Sequence, residues 1–115
     1  MSKESNDKIG KNTLRILDSN DPLDSDIIDL APVIYQYLED DTLKRYEYLK
    51  DSLNKENIDF VENSKLVRGL DYYNDLTFEF AYKATVLGGG GRYDKLAESL
   101  KLGNSAGVGL SLIHI

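Results

Sequence analysis

Four consecutive glycines, Gly88-Gly89-Gly90-Gly91, run from the apolar pair Val86-Leu87 into Arg92-Tyr93-Asp94. Glycine loses more backbone freedom on folding than any other residue and brings no side chain to a core. Four in a row therefore weaken a helix and a strand alike. Two situations tolerate them. One is a flexible hairpin turn. The other is a strand pressed against another backbone or a bound small molecule, with Arg92 and Tyr93 at its end. The tract is not a Walker loop, because no Gly-Lys-Ser/Thr follows it. It is not a dinucleotide fingerprint either, because no G-x-G-x-x-G inside a βαβ unit can be placed.

A second segment is equally dense: Leu66-Val67-Arg68-Gly69-Leu70-Asp71-Tyr72-Tyr73. An arginine, an aspartate and two tyrosines crowd into six residues at the mouth of a strand. In an extended chain Tyr72 and Tyr73 point to opposite faces, so one of them at most belongs to a core. The plain alternative is a polar loop with an Arg68–Asp71 surface pair, worth about 0–1 kcal/mol.

Composition narrows what these segments can do. The 115 residues make room for one domain at most. No apolar run reaches the roughly 18 residues of a membrane span, and the polar start has no apolar core of a secretory signal. With no cysteine and one histidine, His114, thiolate and imidazole metal sites are excluded. Carboxylates remain, and they suit a hard ion such as Mg²⁺. The net charge of −6 argues against a general nucleic-acid binder. The acidic surplus lies in residues 1–63, with 8 basic and 15 acidic side chains, whereas residues 64–115 carry 6 and 5 and can face a phosphate.

Periodicity orders the chain as α+β. Residues 1–10 read as a fraying start. Ile27, Ile28, Leu30, Ile34, Tyr35 and Leu38 recur at helical intervals, broken by Pro32. A helix of about four turns follows, capped by Asp40 or Asp41, with Leu43, Tyr46, Leu49 or Lys50, and Leu53 as its apolar stripe. The expectation for this region is an antiparallel helix pair. After Asn57 the period changes, and Ile58, Phe60 and Val67 point to strands near 62–64. Leu76 to Tyr82 alternates, with Leu76, Phe78 and Phe80 on one face. Lys83-Ala84 makes a tight connection to a return strand at Thr85-Val86-Leu87. A helix over 92–102 ends at Gly103-Asn104, and Ala106 to Ile113 reads as a buried strand. The sheet is expected to be mainly antiparallel.

Together the two dense segments resemble a known signature. Leu66 to Tyr73, then Phe78-Glu79, then Gly89-Gly90-Gly91-Arg92-Tyr93-Asp94 with Leu96 after it, is similar to the histidine-specific motifs of the histidyl-tRNA synthetases, bacterial type. Gly107-Val108-Gly109-Leu110-Ser111-Leu112 resembles the opening of their motif 3 strand, and Asn12 to Ser19 is also similar. The resemblance implies a partial class II catalytic domain over 1–115: an N-terminal segment (1–21), insertion helices (22–57), and histidine-specific strands with the start of motif 3 (58–115).

The activity it implies is ATP-dependent conversion of L-histidine to histidyl-adenylate and transfer to tRNA(His). ATP arrives with Mg²⁺ as a substrate complex, no metal is held by the protein, and the full-length enzyme is a cytoplasmic homodimer with no membrane partner. By the same resemblance Arg68 is catalytic and touches both histidine and ATP. Tyr72, Tyr73, Tyr93, Gly89, Gly90 and Gly91 form the histidine pocket, and Gly107 and Gly109 lie on the ATP side. An arginine suits this role because it stays charged and offers a planar fork to phosphate and carboxylate oxygens.

Some features depart from the pattern. Asp75 and Leu76 stand where the family has other residues. Motifs 1 and 2 have no counterpart here, and Ile113-His114-Ile115 replaces a glycine and an acidic-arginine pair. From these departures the chain alone is expected to be inactive and poorly stable, its last three residues are expected to come from a truncated or misjoined reading frame, and His114 is expected to have no role. Two other readings are a non-catalytic paralogue, such as the regulatory subunit of ATP phosphoribosyltransferase, and a stand-alone binding module. The intact Leu70-Asp71-Tyr72-Tyr73 run favours the synthetase.

Overall fold

The computed structural model describes residues 1–69 and 72–113. The expectations for Leu70, Asp71, His114 and Ile115 lie outside the described residues. The chain divides into two compact units, Met1–Val67 and Arg68–Ile115.

The first unit is helical. Helix α1 spans Lys3–Lys8, α2 spans Ser25–Leu30 and α3 spans Asp40–Lys55, with 3₁₀ turns at Thr13–Asp18, Pro22–Asp24 and Ile34–Tyr37. The long helix matches the sequence expectation, and Leu43, Tyr46, Leu49, Lys50 and Leu53 are among its less exposed positions. Its cap differs. Glu39 is the N-cap without a side-chain bond, and Asp40 and Asp41 sit in the first turn, where they favour the positive end of the helix dipole. Asn57 ends the helix in the left-handed region at φ 56°, which asparagine tolerates. The expected partner helix is reduced to the six residues of α2. Pro32 has no N–H to continue the run, and the chain resumes only as a 3₁₀ turn. No strand forms at 58–64.

The start of the chain does not fray. Asp24 is fully buried. Its carboxylate accepts from Ser2 N–H (2.6 Å), Ser2 Oγ (2.8 Å), Ser5 Oγ (2.6 Å) and Ser19 Oγ (2.6 Å). Ser2 also caps α1 by accepting from Ser5 N–H. The hydrogen bonds from Ser19 and Ser5, followed by those from Ser2, hold the carboxyl far below the usual range despite its burial. A depressed folded-state value stabilises the fold above the ordinary carboxyl pKa near 4, and that stabilisation is lost as the pH falls below it. Acidification from pH 5 to pH 2 should therefore melt α1 ahead of α3. Asp24→Ala should abolish amide protection at Asn6 and Ile9 already at neutral pH, and exchange rates unchanged from wild type would refute the anchoring role.

The second unit is a three-stranded antiparallel sheet in the order β1 (Thr77–Tyr82), β2 (Thr85–Arg92), β3 (Val108–Leu112). An α+β fold with an antiparallel sheet is what the sequence pattern implies. Lys83, at φ 56°, turns the two-residue hairpin, and the register slips between Phe80 and Ala81. The glycine tract is the interior of the central strand, and Gly88 to Gly91 are all buried. Two expectations need correction here. The helix over 92–102 shrinks to α4, Leu96–Ser99, because residues 92–94 are held by bonds described below. The strand expected to be buried, β3, is an edge strand with Val108, Leu110 and Leu112 exposed.

Candidate functional site

Register decides which residues share a face. Thr77 pairs with Gly91 and Gly91 with Gly109, while Glu79 pairs with Gly89 and Gly89 with Ser111. Directly opposed residues lie on the same side of a sheet. One face therefore carries Thr77, Glu79, Gly89, Gly91, Gly109 and Ser111. The other carries Phe78, Phe80, Leu110 and Leu112. Leu76, Phe78 and Phe80 were expected on one face from alternation; Phe78 and Phe80 do share it, with ring centroids 5.4 Å apart.

Three large side chains occupy the space that the first face leaves open. Arg68 lies over Gly89, where a Cβ would stand 2.8 Å from its Nη1. Tyr73 lies over Gly91, where a Cβ would stand 2.6 Å from its Cδ1. Tyr93 lies over Gly107 and Gly109, with 2.5 and 2.6 Å left for a Cβ at those positions. Such separations are below any real contact distance. The glycines are thus required by close approach of the chain's own side chains and backbone, and the tract is a strand interior rather than a flexible turn.

Around these residues is a cavity of about 180 Å³ lined by Arg68, Tyr72, Tyr73, Gly89, Tyr93, Gly109, Leu110 and Ser111. The structure thereby brings together Arg68, the three tyrosines, Gly89 and Gly109. Gly91 and Gly107 stand behind the tyrosine rings, and Gly90 faces the backbone of Gly109 on the far side of the sheet. The tyrosines form a cluster, with centroids of Tyr72 and Tyr73 4.9 Å apart, Tyr72 and Tyr93 5.4 Å, and Tyr73 and Tyr93 6.3 Å. This corrects the expectation that Tyr72 and Tyr73 diverge. The chain turns at Tyr72 instead of running extended, so adjacent side chains reach the same cavity. Burial, then the neighbouring Tyr73 and Tyr93, raises the Tyr72 phenol above its ordinary value, so it is a neutral donor at physiological pH.

Among the described residues Arg68 is the only charged one in the cavity lining. Its Nη1 donates to Glu79 Oε1 at 2.8 Å, and its Nε is buried with no acceptor among the described residues. The partner expected from sequence was Asp71, which lies outside the described residues. Glu79 was legible only as part of the family signature, yet alternation alone puts it opposite Phe78 and Phe80 and so on the face of Arg68.

Tyr93 is held from both sides. Its N–H donates to Gly107 O at 2.8 Å. Arg92 Nε donates to Asp94 Oδ2 at 2.7 Å, and that bond raises the arginine's pKa. Asn74 Oδ1 accepts from Asp94 N–H at 2.7 Å, and Leu76 O accepts from Arg92 N–H at 2.8 Å. Asp75, a departure from the family pattern, lies 4.0 Å from Arg92 Nε. These bonds keep residues 92–94 out of the following helix and aim the phenol at the cavity. Among the described residues there is no group of three or more His, Cys, Asp or Glu side chains that could hold a metal, and no helix is long and apolar enough to cross a membrane.

No family model matches the chain. Individual relatives do. The histidine–tRNA ligase of Limosilactobacillus fermentum is 40% identical over 119 residues, covering 97% of this chain and 28% of that protein. The histidine–tRNA ligase of Chlamydia pneumoniae is 46% identical over 100 residues, covering 84% of this chain and 23% of the relative. Among solved structures, apo histidyl-tRNA synthetase from S. aureus superposes with a TM-score of 0.60 at 28% identity, covering 97% of this chain and 27% of that one. The chain spans about a quarter of the length of the curated relatives it matches.

Proposed function

Since this chain belongs with the histidine–tRNA ligases over the segment it spans, we propose that it forms the histidine-recognising face of a class II catalytic domain, as one partial domain. The observation that carries this reading is the placement of one arginine and three tyrosines around a cavity whose floor is glycine backbone. The whole reaction is ATP-dependent activation of L-histidine followed by transfer to tRNA(His), in the cytoplasm and in a homodimer. ATP enters as its Mg²⁺ complex.

The residues support distinct roles. In the first step a histidine carboxylate oxygen bonds to the α-phosphorus of ATP as the bond to pyrophosphate breaks. Two anions must approach, and a fixed cation offsets the charge that develops. Arg68 is that catalytic cation, touching the carboxylate and the α-phosphate. The imidazole is held by Tyr72, Tyr73 and Tyr93, whose rings stack and whose hydroxyls bond ring nitrogens. Gly89 and Gly91 leave room for Arg68 and Tyr73 beneath histidine, Gly107 and Gly109 leave room for Tyr93 toward the ATP side, and Gly90 lets β2 lie close against β3. Among the described residues the lining holds one cation, which matches one anionic junction and not a triphosphate. The chain by itself therefore binds histidine and does not sustain ATP–pyrophosphate exchange.

Ligand titration followed by tyrosine fluorescence tests this. Histidine should bind, and phenylalanine, which lacks the ring nitrogens, should bind roughly a hundredfold more weakly, because a site built to hydrogen-bond rejects an analogue without those groups. Histidinol, which lacks the carboxylate, should also lose affinity. Equal affinity for histidine and phenylalanine would sink the assignment.

A further inference from the structure

On the cavity face, β1 and β2 set Glu79 directly opposite Gly89. The two residues form a seat with unequal halves. Gly89 supplies only space, since a Cβ there would stand 2.8 Å from Arg68 Nη1 and 3.0 Å from its Cζ. Glu79 supplies a half-buried carboxylate that accepts from Nη1 at 2.8 Å. Nε has no acceptor among the described residues, and among those residues the bond to Glu79 is the one that holds the guanidinium.

We propose that Glu79 is a positioning residue for Arg68: its carboxylate fixes the plane of the guanidinium over Gly89 and so orients the remaining donors toward the ligand. This rests on the reading of Arg68 as the cation that meets the ligand. A carboxylate suits the task, because a charge-assisted bond to a planar fork sets direction as well as distance. It also keeps a half-buried arginine from standing unpaired before the ligand arrives. Sheet geometry makes the seat rigid. Glu79 alternates with Phe78 and Phe80, so its direction is fixed by a strand whose other face is apolar. An arginine ahead of the strand, at position 68, needs such a support because residues 66–69 are not themselves held in the sheet ladder.

Nitrogen-15 spectra of the Arg68 guanidinium in the 115-residue chain test this, with its signals identified by their loss in Arg68→Lys. Rotation of the guanidinium should be slow in the wild type and faster by roughly tenfold or more in Glu79→Ala. Glu79→Gln, whose amide oxygen still accepts, should recover part of the restraint. Backbone amide shifts of β1 and β2 report whether the sheet is intact, and if Glu79→Ala disturbs them, Glu79→Gln against wild type decides. Unchanged rotation in both variants overturns the proposal. The second arm measures affinity for a sulfamoyl analogue of histidyl-adenylate. Glu79→Ala should weaken it roughly tenfold in the wild-type background and not at all in an Arg68→Lys background. A further loss in that background would mean that Glu79 acts independently of Arg68 and would overturn positioning. If the wild type fails to bind the analogue while Arg68 rotation still depends on Glu79, the functional reading fails and the positioning role stands.

Discussion

Replacing Arg68 with alanine, in a full-length histidine–tRNA ligase carrying this segment, should lower the rate of histidine adenylation by about a hundred- to a thousandfold. Loss of one preorganised group that stabilises developing negative charge costs about 2.7–4 kcal/mol in transition-state energy. The geometry explains why no neighbour compensates. Among the described residues of this segment Arg68 is the only charged one lining the cavity, and its ion-pair partner Glu79 has the wrong sign. Arg68→Lys should recover little. An ammonium keeps the charge but lacks the planar fork that bonds Glu79 on one side and an oxyanion on the other. The loss should appear mainly in kcat, because the anionic junction strengthens in the transition state. Pyrophosphate exchange measured beside a thermal melt separates chemistry from folding. An Arg68→Ala enzyme with exchange within threefold of wild type, or one that loses activity only because it unfolds, would remove Arg68 from the mechanism.

The readability of that site in the sequence was uneven, for physical reasons. Alternation over Leu76 to Tyr82 gave the strand and its two faces, because period two depends only on neighbouring residues. The four glycines marked a backbone under close approach, but not what approached. That Arg68 covers Gly89 and Tyr73 covers Gly91 depends on a turn at Tyr72, and local pattern pointed the two tyrosines apart. Asp24 shows the same limit in the helical unit. A polar start followed by a distant aspartate gives no periodic signal, yet Ser2, Ser5 and Ser19 converge on that carboxylate and order the first turn. Residues 92–102 carry helical spacing at Leu96 and Leu100, but the bonds of Arg92 and Asp94 to each other and to residues 74–76 override it at the start. Long-range hydrogen bonds and close packing were what single-sequence pattern could not supply.

Gly91→Ala should be a strongly damaging single-methyl addition on the cavity face of the sheet. The new Cβ would meet two obstacles at 2.6 Å, Leu76 O and Tyr73 Cδ1. The carbonyl cannot retreat freely, because it accepts the N–H of Arg92 at 2.8 Å. The ring can move, but only by leaving the position it holds against Tyr72 and Tyr93. Overpacking of this kind costs about 1–3 kcal/mol, occasionally more, which in a unit this small lowers the melting temperature by roughly 10 °C. Histidine affinity should fall with it, since Tyr73 is displaced. Gly103→Ala is the informative control. Its φ of +86° strains any side chain, but nothing lies within 4 Å of the added Cβ. It should therefore cost about 1–2 kcal/mol of local backbone strain and leave ligand affinity unchanged. The two variants separate a glycine needed for conformation from one needed for room. If Gly91→Ala melts within 2 °C of wild type and keeps its ring–ring contacts by nuclear Overhauser spectroscopy, the glycine floor is not what holds Tyr73 in the cavity.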